Sequence, residues 1–309
     1  MNAPAQNSSI SIRGWLVRLF VSTIMRRTLA QPATLESRGQ LEKLAKLLFA
    51  PRGTKLTFNP LGGIDTEWVA NPAAGARGFV LYLHGGGYVT GSPRTHRGLT
   101  ARIARSARVC VVVPDYRLAP EHPHPAAVDD ALAAYKGLLD QGIPANKIIV
   151  AGDSAGGGLS MALALRLKAA PLPQPAGIVL LSPFVDLHLN SGSMSSPTQK
   201  EWLLSKDFMY AAAKDYGGGQ DPMLPTLSPL FADLTGLPPI FIQVGTDEVL
   251  LDDSTRLAQA ATKQRVPVTL QIWPKMWHVW QLHGGQMPEA DQAIKGICEF
   301  VHGRLTGKL

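Results

Sequence analysis

The chain has 309 residues, 45% hydrophobic and 17% charged, which supplies ample apolar side chain for a buried core and excludes a generally disordered polymer. Its formal charge of +7 is not gathered into a nucleic-acid footprint: residues 1–35 hold Arg13, Arg18, Arg26 and Arg27 with no acid, and the remaining Lys and Arg are scattered among carboxylates. Two cysteines, Cys110 and Cys298, provide neither a disulfide framework nor paired zinc spacing, so buried thiols, no metal and a cytoplasmic location are expected.

Segment 15–25 is the first candidate element. It is too short to span a bilayer and carries Arg18 at its centre, and no small-residue cleavage site follows it. Stable membrane insertion is therefore not expected. On a helical wheel its apolar residues cover most of the circumference, leaving a strip with Arg18 and Ser22. That pattern predicts a helix covered on more than one side, such as a lid over a site, with a basic helix lying on anionic lipid as the second reading.

From residue 78 onward, strand and helix signals alternate. Short β-branched runs at 78–83, 109–113, 147–151, 177–182, 240–244 and 268–273 read as strands, and helical patterns fall at 95–106, 129–139, 155–169, 253–264 and 289–304. Such alternation predicts an α/β fold with a mostly parallel central sheet and helices on both faces. Ligands bind such sheets at the carboxyl ends of the strands. Two stretches stand outside the alternation, residues 1–50 and the Gly- and Pro-containing insertion 188–236. Both are expected to form one helical cap, leaving 51–187 and 237–309 as the catalytic core.

Gly152-Asp153-Ser154-Ala155-Gly156 follows one strand directly and precedes a helix directly. Glycines at its ends permit a sharp turn that presents Ser154 at the sheet top, as a nucleophile rather than a mere hydroxyl cap. His84-Gly85-Gly86-Gly87 follows another strand, and consecutive glycines let backbone N–H groups approach a developing oxyanion. The expected donors are Gly86, Gly87 and Ala155, with His84 holding the loop. Of the eight histidines, His278 lies just past the last strand and is the expected base, with His283 a weaker second candidate and His122 and His124 read as turn residues. The orienting acid should follow strand 240–244, where Asp247 and Glu248 compete, while Asp252 and Asp253 read as the N-cap region of the next helix.

These motifs, together with Tyr88 and Asp115-Tyr116-Arg117-Leu118-Ala119-Pro120-Glu121-His122-Pro123, resemble the hormone-sensitive-lipase-like bacterial carboxylesterases of family IV, which have the α/β-hydrolase fold. The resemblance runs from about residue 78 to the C-terminus. It implies the triad Ser154, Glu248 and His278, no cofactor, and a small-molecule ester of short to medium acyl length as substrate. Glu248 is preferred over Asp247 because Glu248-Val249-Leu250-Leu251-Asp252 keeps the family's acid, Leu and Asp spacing. The family commonly shows Asp-Pro-Leu-x-Asp there, and this chain departs from it at the acid and at the proline. Asp186 resembles a family feature near the cap hinge, with a structural role. The same triad would also suit a lactone or activated-amide hydrolase. No nucleic-acid partner is expected, and a homodimer is compatible with the sequence.

Overall fold

One eight-stranded sheet organises the chain in the computed structural model, which describes residues 10–29, 34–70 and 77–308. Residues 1–9 and 30–33 of the expected N-terminal cap lie outside the described residues. The strands are β1 (Lys55–Phe58), β2 (Thr66–Ala70), β3 (Phe79–Leu83), β4 (Cys110–Pro114), β5 (Ile148–Asp153), β6 (Gly177–Leu181), β7 (Ile240–Gly245) and β8 (Val268–Trp273). Their order is β1-β2-β4-β3-β5-β6-β7-β8. All pairings from β4 to β8 are parallel, whereas β1 with β2 and β2 with β4 are antiparallel.

The helices in chain order are α1 (Ile12–Phe20), α2 (Arg26–Leu29), α3 (Leu35–Ala45), α4 (Pro93–Ala107), α5 (Ala126–Asp140), α6 (Ala155–Ala169), α7 (Gly192–Ser195), α8 (Lys206–Gly217), α9 (Leu251–Lys263) and α10 (Pro288–Thr306). A π-helical turn, Val21–Met25, joins α1 to α2. Alternate side chains of each central strand serve opposite faces of the sheet. Leu81, Leu83 and Val150 pack with Val128 of α5 and Leu159 of α6, while Val80, Tyr82 and Ile149 pack with Leu99 of α4 and Val301 of α10. Burial on both faces is why β4 to β7 read as apolar runs, broken in β7 by Gln243 and ended in β5 by Asp153.

Three features differ from the sequence expectation. First, β1 and β2 show no hydrophobic run. β1 is a largely exposed edge strand, and β2 carries Glu67, buried because Arg97 of α4 grips its carboxylate at 2.9 and 2.7 Å. Second, Asp252 and Asp253 do not cap α9, whose N-cap is Leu250. Asp253 Oδ2 instead accepts the Val185 and Asp186 N–H groups at 3.0 and 3.1 Å, and Asp252 Oδ2 accepts the Ser193 N–H at 2.6 Å. They tie the loop after β6 to the start of α9.

Third, α1 is not covered on several sides. Gly14, Val21 and Met25 turn inward, but Ile12, Trp15, Leu16, Leu19 and Ile24 are exposed. The start of α1 is pinned where Glu289 accepts the N–H and hydroxyl of Ser11 at 2.6 and 3.0 Å. Arg18 does not face a solvent strip either: its guanidinium lies 4.7 Å from the Trp202 ring centroid and 4.0 Å from Asp247. The N-terminal helices thus touch the segment inserted between β6 and β7. Among the described residues, no helix is long and apolar enough to cross a membrane.

Candidate active site

Ser154 sits between β5 and α6 at φ 52° and ψ −123°, a conformation that side chains rarely adopt. The turn holds because the Ser154 N–H donates to Leu181 at 2.8 Å while its carbonyl accepts from Gly157 and Phe184, each at 2.9 Å. A Cβ on Gly152 would lie 2.2 Å from the Gly156 carbonyl oxygen, and one on Gly156 would lie 2.0 Å from that of Leu83. Only glycine fits at either position, so the sequence motif and the elbow are the same constraint.

The loop after β3 faces this turn. Gly86 has φ +120°, open to glycine, and its carbonyl accepts the Val89 and Thr90 N–H groups at 3.1 and 3.0 Å. Among the described residues, no turn or loop hydrogen bond uses the N–H of Gly86, Gly87 or Ala155. Ala155 opens α6, where the first N–H groups have no partner within the helix. His84 lies beneath the loop, stacked on Tyr116 at 4.2 Å, with Nδ1 donating to the Gly85 carbonyl at 2.9 Å. Burial, aided by the charge of His96, pushes His84 down to about 3, so it is neutral.

His278 follows β8 and is 3% exposed. Its Nδ1 lies 2.9 Å from Glu248 Oε2, and the carboxylate accepts this N–H, leaving the Nε2 lone pair free. Burial lowers the affinity of His278 for a proton, but the Glu248 hydrogen bond and charge outweigh it, with Glu201 and Asp153 adding, and the net shift is upward. Val279, the next residue, is held at φ 50° and ψ 45°, a strained conformation for a β-branched side chain. That strain fixes the direction in which the chain leaves His278.

Asp247 does not share this contact. Its Oδ1 accepts from the Thr246 hydroxyl at 3.0 Å and its Oδ2 from Trp202 Nε1 at 3.3 Å. It neither faces outward nor closes an Asx turn. His283 is buried and paired with Gln286 at 3.2 Å, and its surroundings push it down to about 4. His124 bonds Gln220 at 3.1 Å and Thr226 at 2.9 Å, joining the proline loop to the inserted segment. Asp186 pairs with Arg256 at 2.7 Å.

Several residues at the site escaped sequence reasoning. Asp153, beside Ser154, is buried; its Oδ1 accepts from Tyr82 at 2.7 Å and from the Gly85 N–H at 3.1 Å, and its Oδ2 is 3.3 Å from His96 Nε2. Burial alone would raise the pKa of Asp153, yet His96 and these bonds hold it below the ordinary carboxylate value. Glu201, in the inserted segment, accepts the Leu203 and Leu204 N–H groups at 2.7 and 2.9 Å and the Val249 N–H at 2.9 Å. It binds the insertion to the residue after Glu248. Burial outweighs His278 and these amides, so its pKa is raised.

Ser154, His278, Gly86 and Gly87 line one cleft, closed above by Met25 and Leu29 from the N-terminal helices and by Leu203, Leu204 and Phe208 from the insertion. Among the described residues, no group of three or more His, Cys, Asp or Glu side chains converges as a metal site would.

A mostly parallel eight-stranded sheet with a serine elbow after β5 and a histidine after β8 defines the class of α/β hydrolases. A family model described as alpha/beta hydrolase fold matches residues 80–282. An acetyl-hydrolase of Streptomyces hygroscopicus is 44% identical over 82% of this chain and 84% of its own. An esterase of Acinetobacter venetianus is 38% identical over 91% and 94%. Among solved structures, an esterase from the bacterial hormone-sensitive lipase family superposes with a TM-score of 0.90 at 38% identity, covering 96% of this chain and 99% of that one. The chain belongs to the α/β-hydrolase family and, within it, is a carboxylesterase of the hormone-sensitive-lipase-like group.

Proposed function

We propose that the enzyme hydrolyses carboxylic esters of short to medium acyl length through an acyl-enzyme on Ser154. The observation that carries this is the Glu248–His278 contact of 2.9 Å in the cleft that also holds the strained Ser154. His278 Nε2 takes the Ser154 proton as Oγ adds to the ester carbonyl, and the Gly86, Gly87 and Ala155 N–H groups receive the oxyanion. Collapse breaks the ester C–O bond, and the leaving alcohol takes the proton from His278. Water, deprotonated by His278, then attacks the acyl-enzyme, releasing the acid and restoring Ser154.

Residues 1–50 and 188–236 act as one cap over a core formed by 51–187 and 237–309. Arg18 against Trp202, and Arg26 donating to the Glu201 carbonyl at 3.1 Å, support a joined cap. Its apolar lining suits an acyl chain better than a charged one. The unpaired, buried Cys110 and Cys298 suit a cytoplasmic setting.

The test is a panel of aryl esters of increasing acyl length, with lactones and amides, against wild type and Ser154→Ala. Wild type should favour the shorter esters, Ser154→Ala should keep at most a small residual, and a rapidly quenched wild-type reaction should carry the acyl mass on Ser154. Turnover near wild type in Ser154→Ala would overturn the mechanism, and a preference for lactones or amides would overturn the substrate class.

A further inference from the structure

The outer face of the first helical segment is apolar and cationic, and among the described residues nothing covers it. Ile12, Trp15, Leu16, Leu19 and Ile24 are 82%, 50%, 54%, 49% and 46% exposed. The first four recur at helical spacing and share one side of α1, so this is a continuous stripe rather than scattered apolar residues. Arg13, Arg26 and Arg27 are exposed on the same segment, and residues 1–35 contain no acid. Among the described residues, Arg13 and Arg27 have no ion pair, and Arg26 reaches only the Glu201 carbonyl.

We propose that this face docks on an anionic phospholipid bilayer, with α1 lying in the plane of the headgroups. An aromatic and leucine-rich face edged by arginine and free of carboxylate is the composition that interfacial helices use. Trp15 suits the headgroup level, and each arginine near an anionic leaflet adds about fivefold to affinity. A second copy of the chain is the poorer occupant. Two-fold contact through this stripe would bring the Arg13, Arg26 and Arg27 side chains of two copies together, and the segment itself contributes no acid to offset them. Lipid phosphates present the missing negative charge.

Docking also has a consequence for catalysis, which rests on the ester-hydrolase mechanism proposed above. The inner side of the same helical segment supplies Met25 and Leu29 to the cleft. Lipid therefore meets the cap at the element that closes the site, and an ester dissolved in the bilayer reaches the cleft without first crossing water.

Sedimentation of the full-length protein with vesicles tests the surface independently of the chemistry. The protein should sediment with phosphatidylcholine vesicles containing phosphatidylglycerol, not with pure phosphatidylcholine, and high salt should release it. Combined Trp15→Glu, Leu16→Glu and Leu19→Glu should lower binding by at least about tenfold, and Arg13→Ala and Arg27→Ala by about fivefold each. All of these variants should hydrolyse a water-soluble aryl ester as wild type does. The arginine variants keep the test decisive if the glutamate variant fails to fold. Absence of binding, equal binding to both vesicles, or a dimer in solution that the arginine-to-alanine changes strengthen would overturn the proposal. An enzyme that binds anionic vesicles but cleaves no soluble ester would overturn the ester mechanism and leave the docking surface standing.

Discussion

Ser182 Oγ donates to Glu248 Oε1 at 2.8 Å and, through the same oxygen, accepts the N–H of Val279 at 3.3 Å. With the Gly245 N–H also on Oε1 at 2.6 Å, one carboxylate oxygen is held by the end of β7 and the chain just after β6. The other is left for His278. Ser182 itself has φ 46°, so the end of β6 is bent to bring its hydroxyl there.

Ser182→Ala removes one of the two donors that hold Oε1 and leaves the Val279 N–H without its acceptor. A hydrogen bond to a charged group contributes about 1.5–3 kcal/mol, and misplacing the acid is felt mainly in the transition state. The expected result is a fall in kcat of about tenfold to a hundredfold with KM little changed. Steady-state kinetics on a soluble aryl ester checks it, beside a melting curve to confirm folding. An unchanged kcat would make Ser182 a strand-end residue only.

The pH profile should report His278. Its pKa is raised in the folded protein, because the Glu248 bond and charge outweigh the opposing effect of burial. As the proposed base, His278 would work only when neutral, so kcat/KM should fall on the acid side with an apparent pKa above the ordinary imidazole value of about 6.5. Removing the charge in Glu248→Gln should move that limb to lower pH. For stability the sign is opposite in sense: the contribution of a raised histidine is fully present below the unfolded value and is lost as pH rises through the folded one. An acid limb well below 6.5 in wild type would show that Glu248 does not govern the base.

Two glycine-to-alanine changes should move stability in opposite directions. Gly156→Ala places a Cβ 2.0 Å from the Leu83 carbonyl oxygen, in backbone that cannot yield, and should cost more than about 3 kcal/mol. Gly39 lies within α3 with nothing within 4 Å of an added Cβ, so Gly39→Ala should stabilise by about 0.5–1 kcal/mol. Denaturant melts of both variants check the pair. A stable Gly156→Ala protein would mean that the elbow relaxes more readily than its contacts allow.

The parallel part of the sheet was legible because burial on both faces forces apolar runs such as Val109 to Val113, and a run of that kind survives in the letters. β2 was hidden because Glu67 is buried by a partner 30 residues away, Arg97, which no local pattern announces. The turn at Ser154 could be read because its glycine neighbours are demanded by it. Asp153 stands in the same five letters, yet its importance lies in Tyr82, Gly85 and His96, all brought to it by the fold. Glu201 gave no signal for the same reason, since its partners are backbone amides. The outer stripe of α1 misled because apolar residues all round a helix suggest cover on all sides. Among the described residues, the side with Gly14, Val21 and Met25 is covered, while Ile12, Trp15, Leu16 and Leu19 stay exposed.

The last prediction separates two adjacent carboxylates. Glu248 Oε2 meets His278 Nδ1 at 2.9 Å, whereas Asp247 contacts the Thr246 hydroxyl, Trp202 Nε1 at 3.3 Å and, at 4.0 Å, Arg18. Glu248→Gln keeps the shape but can present an amide N–H towards Nδ1, which favours the wrong tautomer and withdraws the charge that stabilises the imidazolium. Turnover should fall by several powers of ten, as loss of the orienting acid does in serine hydrolases generally. Asp247→Asn keeps an oxygen for Trp202 and loses the charge of a buried carboxylate that stands 4.0 Å from Arg18, so its cost should be about 1–2 kcal/mol of stability, with kcat within about threefold of wild type. Both variants should be compared at matched folded fraction, by active-site titration and kcat on one soluble ester. If Asp247→Asn lost turnover by orders of magnitude while Glu248→Gln stayed nearly active, the orienting acid would be Asp247, and the Glu248 contact would serve only to hold the loop.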